Sequence, residues 1–159
     1  MHLNDAVRDD INRSVLCWLA TVDADGFPTV SPKEMFCAYG SDRLIIADIA
    51  SRGSIRNLNT YNKVCVSFVD VFRQKGFKVK GVAKVIPLGD PGFQEIAYPL
   101  LEKAGPDYPI RNIICVQVEK VQRIWAPSYN LFPDKGEEQL MREAYTLYGV
   151  RPLTEDDGS

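Results

Sequence analysis

Hydrophobic and polar positions change period several times along the chain. Asn4 stands where a cap belongs for a short first helix, with Val7 and Ile11 one turn apart and Asp5, Asp9 and Asp10 in its early turns. Residues 15–22 form an apolar, β-branched run, and Asp23-Ala24-Asp25-Gly26 turns the chain, the glycine suited to positive φ. A second strand is expected over residues 27–38, interrupted by Pro28 and Pro32; a proline cannot donate to a ladder, so this strand should be an edge, bulged or bent. Gly40-Ser41-Asp42 makes the next turn. The run from Arg43 to Ile49 is a buried strand that leads straight into a helix capped by Ser51 and ending near Tyr61-Asn62, with Ile55 and Leu58 at helical spacing.

Strong alternation returns in the second half. Residues 63–71 place Val64, Val66 and Phe68 on one face, and residues 77–87 place Phe77, Val79, Gly81, Ala83 and Val85 together. The small Gly81 and Ala83 leave room for another backbone or a flat ligand. Pro91 opens a helix to about Lys103, and Gly105-Pro106-Asp107-Tyr108-Pro109 is a rigid connector. Residues 113–125 make a long last strand. Ala126-Pro127-Ser128-Tyr129 exits it, and Asp134 is placed to cap a terminal helix over residues 135–148, stopped by Gly149. Thr154 to Ser159 is a polar, acidic tail expected to fray. Strands joined mainly by tight turns, with helices inserted, indicate an α+β chain built on an antiparallel β-barrel, not βαβ units. The organisation expected is one domain: an N-terminal helix over residues 1–14, a barrel core over 15–125, and a C-terminal helix and tail over 126–159.

Composition narrows the chemistry. Nineteen Lys and Arg against 21 Asp and Glu give a net charge of −2, which argues against a general nucleic-acid or anionic-membrane binder. No apolar run is long enough to span a bilayer, and the acidic N-terminus has neither a signal-peptide core nor transit-peptide character, so a cytoplasmic location is expected. Cys17, Cys37, Cys65 and Cys115 form no C-x-x-C pair and lie in or beside apolar segments, as buried reduced thiols do. His2 is the one histidine. That nearly removes Ser-His-Asp and Cys-His catalysis and removes most histidine-based metal sites. There is no Walker-type phosphate loop and no G-x-G-x-x-G. The chemistry is therefore expected to reside in something bound.

The start of the Ser51 helix is the candidate seat. Ser51, Arg52, Gly53 and Ser54 bring two hydroxyls, a guanidinium and a close-approach glycine to unpaired amides and the positive end of a helix dipole. Such a turn can hold a phosphate. Alone, these residues read first as a capped helix with Arg52 and Arg56 on its wet face. Lys33 emerges beside the proline-interrupted backbone and is read either as a ligand contact or as an exposed lysine.

Three pieces, in this order and spacing, carry a resemblance. They are Gly26-x-Pro28-x-Val30-Ser31-Pro32-Lys33; then Ala47-Asp48-x-x-Ser51-Arg52-x-Ser54-x-x-Asn57-Leu58 with Asn62-x-x-Val64-x-Val66-Ser67; and Gly76-Phe77-Lys78-Val79-Lys80-Gly81-Val82-Ala83. Over residues 15–125 the chain resembles the pyridoxamine 5′-phosphate oxidase-like flavoproteins, antiparallel split β-barrels that bind FMN at a dimer interface. The resemblance implies a homodimer with FMN shared between subunits. Ser51 and Arg52 would hold the phosphate, with Ser54 as a further candidate, and Lys33 would approach the phosphate or flavin. Backbone at Val30, Ser31, Ala47 and Asp48 would line the ring. Ile124-Trp125 is similar to the family's tryptophan that covers the partner's flavin; from the residue alone, Trp125 is equally an aromatic capping the core.

Two departures bear on activity. Gly53 stands where the true oxidase has a second basic residue, and the family's C-terminal arginine–histidine substrate motif is absent. The expectation is an FMN-binding oxidoreductase acting on an unknown small substrate, with a flavin-binding or sensing module without turnover as the alternative. A barrel adapted to a deazaflavin, or to haem ligated by cysteine or tyrosine, is a third reading.

Overall fold

The computed structural model describes residues 2–105 and 108–154. Pro106 and Asp107 of the expected connector, and Glu155 to Ser159 of the expected tail, lie outside the described residues. The elements run α1 (Asp5–Arg13), β1 (Cys17–Val22), β2 (Pro28–Lys33), β3 (Phe36–Tyr39), β4 (Arg43–Asp48), α2 (Arg52–Thr60), β5 (Lys63–Asp70), β6 (Lys75–Pro87), α3 (Phe93–Ala104), β7 (Asn112–Trp125), α4 (Ser128–Leu131) and α5 (Glu137–Tyr148).

Every strand pair is antiparallel, and the order across the sheet is β2-β1-β5-β6-β7-β4-β3. The two edge strands, β2 and β3, follow each other in the chain across Glu34 and Met35. A sheet whose edges are joined by two residues has to curl on itself, so the barrel closes except at a split between β2 and β3. The single interrupted strand expected over residues 27–38 is therefore two strands, with the break at Glu34-Met35 and not at the prolines. Pro28 and Pro32 are accommodated because β2 pairs on one side only, with β1. Gly26 takes its expected positive φ of 88° in the β1–β2 turn, where the Asp23 carboxylate accepts the amides of Asp25 and Phe27.

Two apolar clusters divide the core. The barrel interior holds Leu19, Leu44, Ile46, Val66, Phe68, Val79, Ile114 and Val116, closed by Val7 and Ile11 of α1 and Leu58 of α2. Outside the barrel, α3 packs Phe93, Ala97 and Leu100 on Ile45, Ala47 and Ile113. This two-sided burial is why Leu44 to Asp48 are all buried and why β4 reads as a continuous apolar run, not as an alternation. In β6, Ile86 belongs to the outer cluster while Phe77, Val79 and Ala83 face the interior. At Gly81 an added Cβ would lie 2.1 Å from the Gln117 carbonyl oxygen. The room left by this glycine is thus taken by backbone, beside the bulge that shifts β6–β7 register between Lys80 and Gly81.

The C-terminal segment departs from expectation in detail. Helix α5 starts at Glu137 with Gly136, not Asp134, at its cap, and a one-turn helix, α4, follows Pro127. Both lie against the β5–β6 turn: the Tyr129 hydroxyl donates to the Arg73 carbonyl at 2.6 Å, and Phe72 packs against Tyr145 with ring centroids 5.0 Å apart. No described helix is long and apolar enough to cross a membrane.

Candidate functional site

The end of β4 turns into α2 at Asp48, and Asp48 organises the turn. Its carboxylate is buried; Oδ1 accepts the Ser51 amide at 2.7 Å and Oδ2 accepts Asn112 Nδ2 at 2.8 Å. Its carbonyl accepts the Arg111 amide at 2.9 Å. Asp48 is thereby a brace tying the strand end, the helix start and the first residue of β7. Ser51 holds the N-cap position, but its hydroxyl caps no backbone amide. It accepts instead from Nζ of Lys33.

Lys33 closes β2 opposite Cys17 of β1. On β2 the inward positions are Thr29, Ser31 and Lys33, so the lysine points to the split and is 6% exposed. It is not an ordinary surface lysine. Burial pushes its pKa below the usual lysine value, and the facing Asp48 carboxylate partly opposes this. Burial also pushes the Cys17 thiol up to about 12, which keeps it protonated and unreactive. The Lys33–Ser51 pair opens on a cleft of about 420 Å³ lined by Pro32, Met35, Ala47, Ile49 and, from α3, Lys103, with Tyr108 beyond. The cleft has largely apolar walls, with Glu34 and Lys103 also on its lining and the Lys33 cation and Ser51 hydroxyl together at one place, which suits a flat ring system carrying a phosphate.

The remaining candidates are distributed differently. Arg52 is exposed, and with Ser51 it lines an adjoining cleft together with Arg56 and Arg111. Gly53 is open, with nothing within 4 Å of an added Cβ, in a first turn whose amides have no acceptor within the helix. Ser54 is buried and lines neither cleft. Val30 is exposed and Ser31 half-buried; they pair with Ala20 and Leu19 partway along β2, and neither lines the cleft. Trp125 stands at the far end of β7 from Asn112, at most about 40 Å along the strand at the usual rise. There it stacks with Tyr129, ring centroids 6.3 Å apart. The chain thus brings together Lys33, Ala47, Asp48, Ser51 and Arg52 and leaves Trp125 remote.

Sequence reasoning missed Asn112, Arg111 and Lys103, and gave Asn57 a place in a motif but no role. Asn57 donates to the Thr21 and Thr29 hydroxyls at 3.0 and 3.1 Å, fixing α2 to the β1–β2 hairpin. Its place in the Ser51–Leu58 motif was its signal. Lys103 and Arg111 carry none, because only the docking of α3 and the β4–β7 pairing bring them near. Among the described residues no group of three metal-ligating side chains occurs.

No curated protein matches the sequence. Among solved structures, HupZ of Group A Streptococcus is similar with a TM-score of 0.67 at 22% identity, over 78% of this chain and 95% of that one. An FMN-binding protein from Syntrophomonas wolfei gives 0.64 at 17% identity, over 76% and 84% of the two chains. An F420 reductase gives 0.58 at 22%, over 76% and 98%. These likenesses establish the split-barrel fold. The family model described as pyridoxamine 5′-phosphate oxidase matches residues 3–125, from the buried Leu3 through the last residue of β7. On that match over most of its length, the chain belongs to the pyridoxamine 5′-phosphate oxidase family.

Proposed function

We propose that the protein is a single-domain, homodimeric FMN-binding oxidoreductase of the cytoplasm, acting on a small molecule. The observation that carries the reading is the buried Lys33 ammonium set against the Ser51 hydroxyl at the start of α2, at the end of an apolar cleft. A buried cation whose neighbouring carboxylate is already committed to Ser51 and Asn112 is a seat for an external anion. Arg52 adds a second cation on the other side of Ser51. Ala47, Met35 and Pro32 offer the apolar surface that an isoalloxazine ring needs. A bound flavin supplies hydride and single-electron transfer; the chain's part is to neutralise the phosphate, orient the ring and exclude water from it.

The dimer has its own support. Trp125 is too far from the cleft of its own chain to reach it, so its expected place over a flavin requires a second copy. Trp18, 46% exposed, Val15 at 78% and Val71 at 52% line one side of the barrel around β1 and β5 and give an apolar surface for association. The test is the visible spectrum of the purified protein and chromatography of what heat releases. Released FMN, absent from an Arg52→Glu variant that keeps its fold, is the expected result. A colourless protein that takes up no added FMN, or full flavin occupancy in Arg52→Glu, overturns the assignment. NADH- or NADPH-driven reduction of the bound flavin faster than that of free FMN separates an enzyme from a binding module.

A further inference from the structure

The cleft on the far side of Ser51 carries more positive charge than one phosphate uses. Arg52 and Arg56 stand one turn apart on α2, and Arg111 enters from the residue before β7, all three lining a space of about 430 Å³. None of the three guanidiniums makes an ion pair among the described residues. The carboxylate that lines the cleft, Asp48, has both oxygens occupied by Ser51 and Asn112. An FMN phosphate carries about two negative charges near neutral pH, and Lys33 and Arg52 match them. Arg56 and Arg111 are left without an ion-pair partner among the described residues, and the one carboxylate in the lining, Asp48, faces several cations.

We infer that this second cleft binds an organic diphosphate, the group carried by nucleoside diphosphates and dinucleotides, beside the phosphate of FMN. The inference rests on that phosphate lying between Lys33 and Arg52. Guanidinium forks pair bidentately with phosphate oxygens. Two of them, on separate elements, match a ligand with two charged centres, whereas a single carboxylate leaves one unmet. Asn59 and Thr60 line the same space and add neutral hydrogen-bonding groups.

The experiment is isothermal titration of the FMN-loaded protein with ADP, inorganic pyrophosphate and inorganic phosphate, repeated for Arg56→Ala and Arg111→Ala. Both substitutions fall on exposed side chains, so the fold is retained. ADP and pyrophosphate are expected to bind, each variant about tenfold more weakly than the parent, with FMN content unchanged. ADP binding tighter than pyrophosphate identifies a nucleotide, and equal binding identifies the free anion; both support the site. Absence of binding, phosphate binding as tightly as pyrophosphate, or loss of FMN from either variant overturns it. Should the parent hold no FMN, the flavin reading fails, and the same titrations on the protein as purified still decide the cleft.

Discussion

Nζ of Lys33 donates to Oγ of Ser51, joining the end of an edge strand to the first turn of a helix 18 residues later. The contact joins β2, on one side of the split, to the helix start that follows β4 on the other, and it places a cation where burial disfavours one. Lys33→Met keeps the stem and removes the charge, while Asp48 stays satisfied by Ser51 and Asn112. The flavin-free variant should be more stable by about 1 kcal/mol, a rise in Tm of about 2–4 °C. Its FMN affinity should fall about tenfold or more. Calorimetry and a flavin-fluorescence titration read the two effects; an unchanged FMN Kd would remove Lys33 from the phosphate seat.

The same lysine predicts opposite pH slopes for stability and binding. Its pKa in the folded chain lies below the ordinary 10.5, chiefly through burial, with Asp48 and Cys17 pulling the other way. Below the folded value it is protonated in both states and adds no slope. Between that value and 10.5 the unfolded chain holds the extra proton, so flavin-free stability rises with pH. FMN affinity should fall over the same window, because the ammonium that meets the phosphate is being lost. Denaturant melts and FMN titrations across alkaline pH test both, and Lys33→Met should flatten both slopes.

Two glycines separate packing from ligand approach. Gly81→Ala drives a Cβ into the Gln117 carbonyl, 2.1 Å away in the β6–β7 ladder, and should cost about 3 kcal/mol in a urea melt. Gly53→Ala meets nothing within 4 Å and should gain about 0.5–1 kcal/mol from helix propensity. Its FMN affinity should nonetheless drop, since the new methyl sits where the phosphate would approach first-turn amides. Equal FMN binding in Gly53→Ala would move the phosphate off that backbone.

Local signals carried most of the fold. The apolar run of β4, the alternation of β5 and β6, the Asp23–Gly26 turn and the Ser51 helix start were all written in neighbouring residues. The division between β2 and β3 was not, because Pro28 and Pro32 drew attention from Glu34-Met35, where the chain actually changes edges. The site was half legible. Ser51 sat at a recognisable helix start, and Lys33 sat beside prolines. That Lys33 is buried against Ser51, and that Asp48 spends its side chain on Ser51 and Asn112, depends on β4–β7 pairing 64 residues apart. No periodicity announces such a contact. The terminal helix was foreseen, but its seat depended on Phe72 and Arg73, turn residues whose partners lie more than 60 positions away.

That seat yields the last prediction. Arg73 donates to Asp10 at 2.6 Å and to Glu137 at 3.1 Å, and Lys75 donates to Glu137 at 2.6 Å. The Lys75 and Arg73 hydrogen bonds hold the Glu137 pKa below its ordinary 4.5. A carboxylate with a lowered folded pKa contributes stability that is present above its unfolded value and lost as pH falls through the lowered one. Its side chain is 38% exposed, so screening limits the contribution to under about 1 kcal/mol. Glu137→Gln should therefore leave global stability nearly unchanged while reducing amide-exchange protection of α5, and wild-type protection should fall in the same way in acid. Arg73→Met should cost about 3 kcal/mol, because it also strands the carboxylate of Asp10, a residue 7% exposed in the second half of α1. Exchange mass spectrometry reads both variants. Protection of α5 in Glu137→Gln equal to that of the parent would mean that Phe72 and Tyr145, not the ion pairs, hold the helix in place.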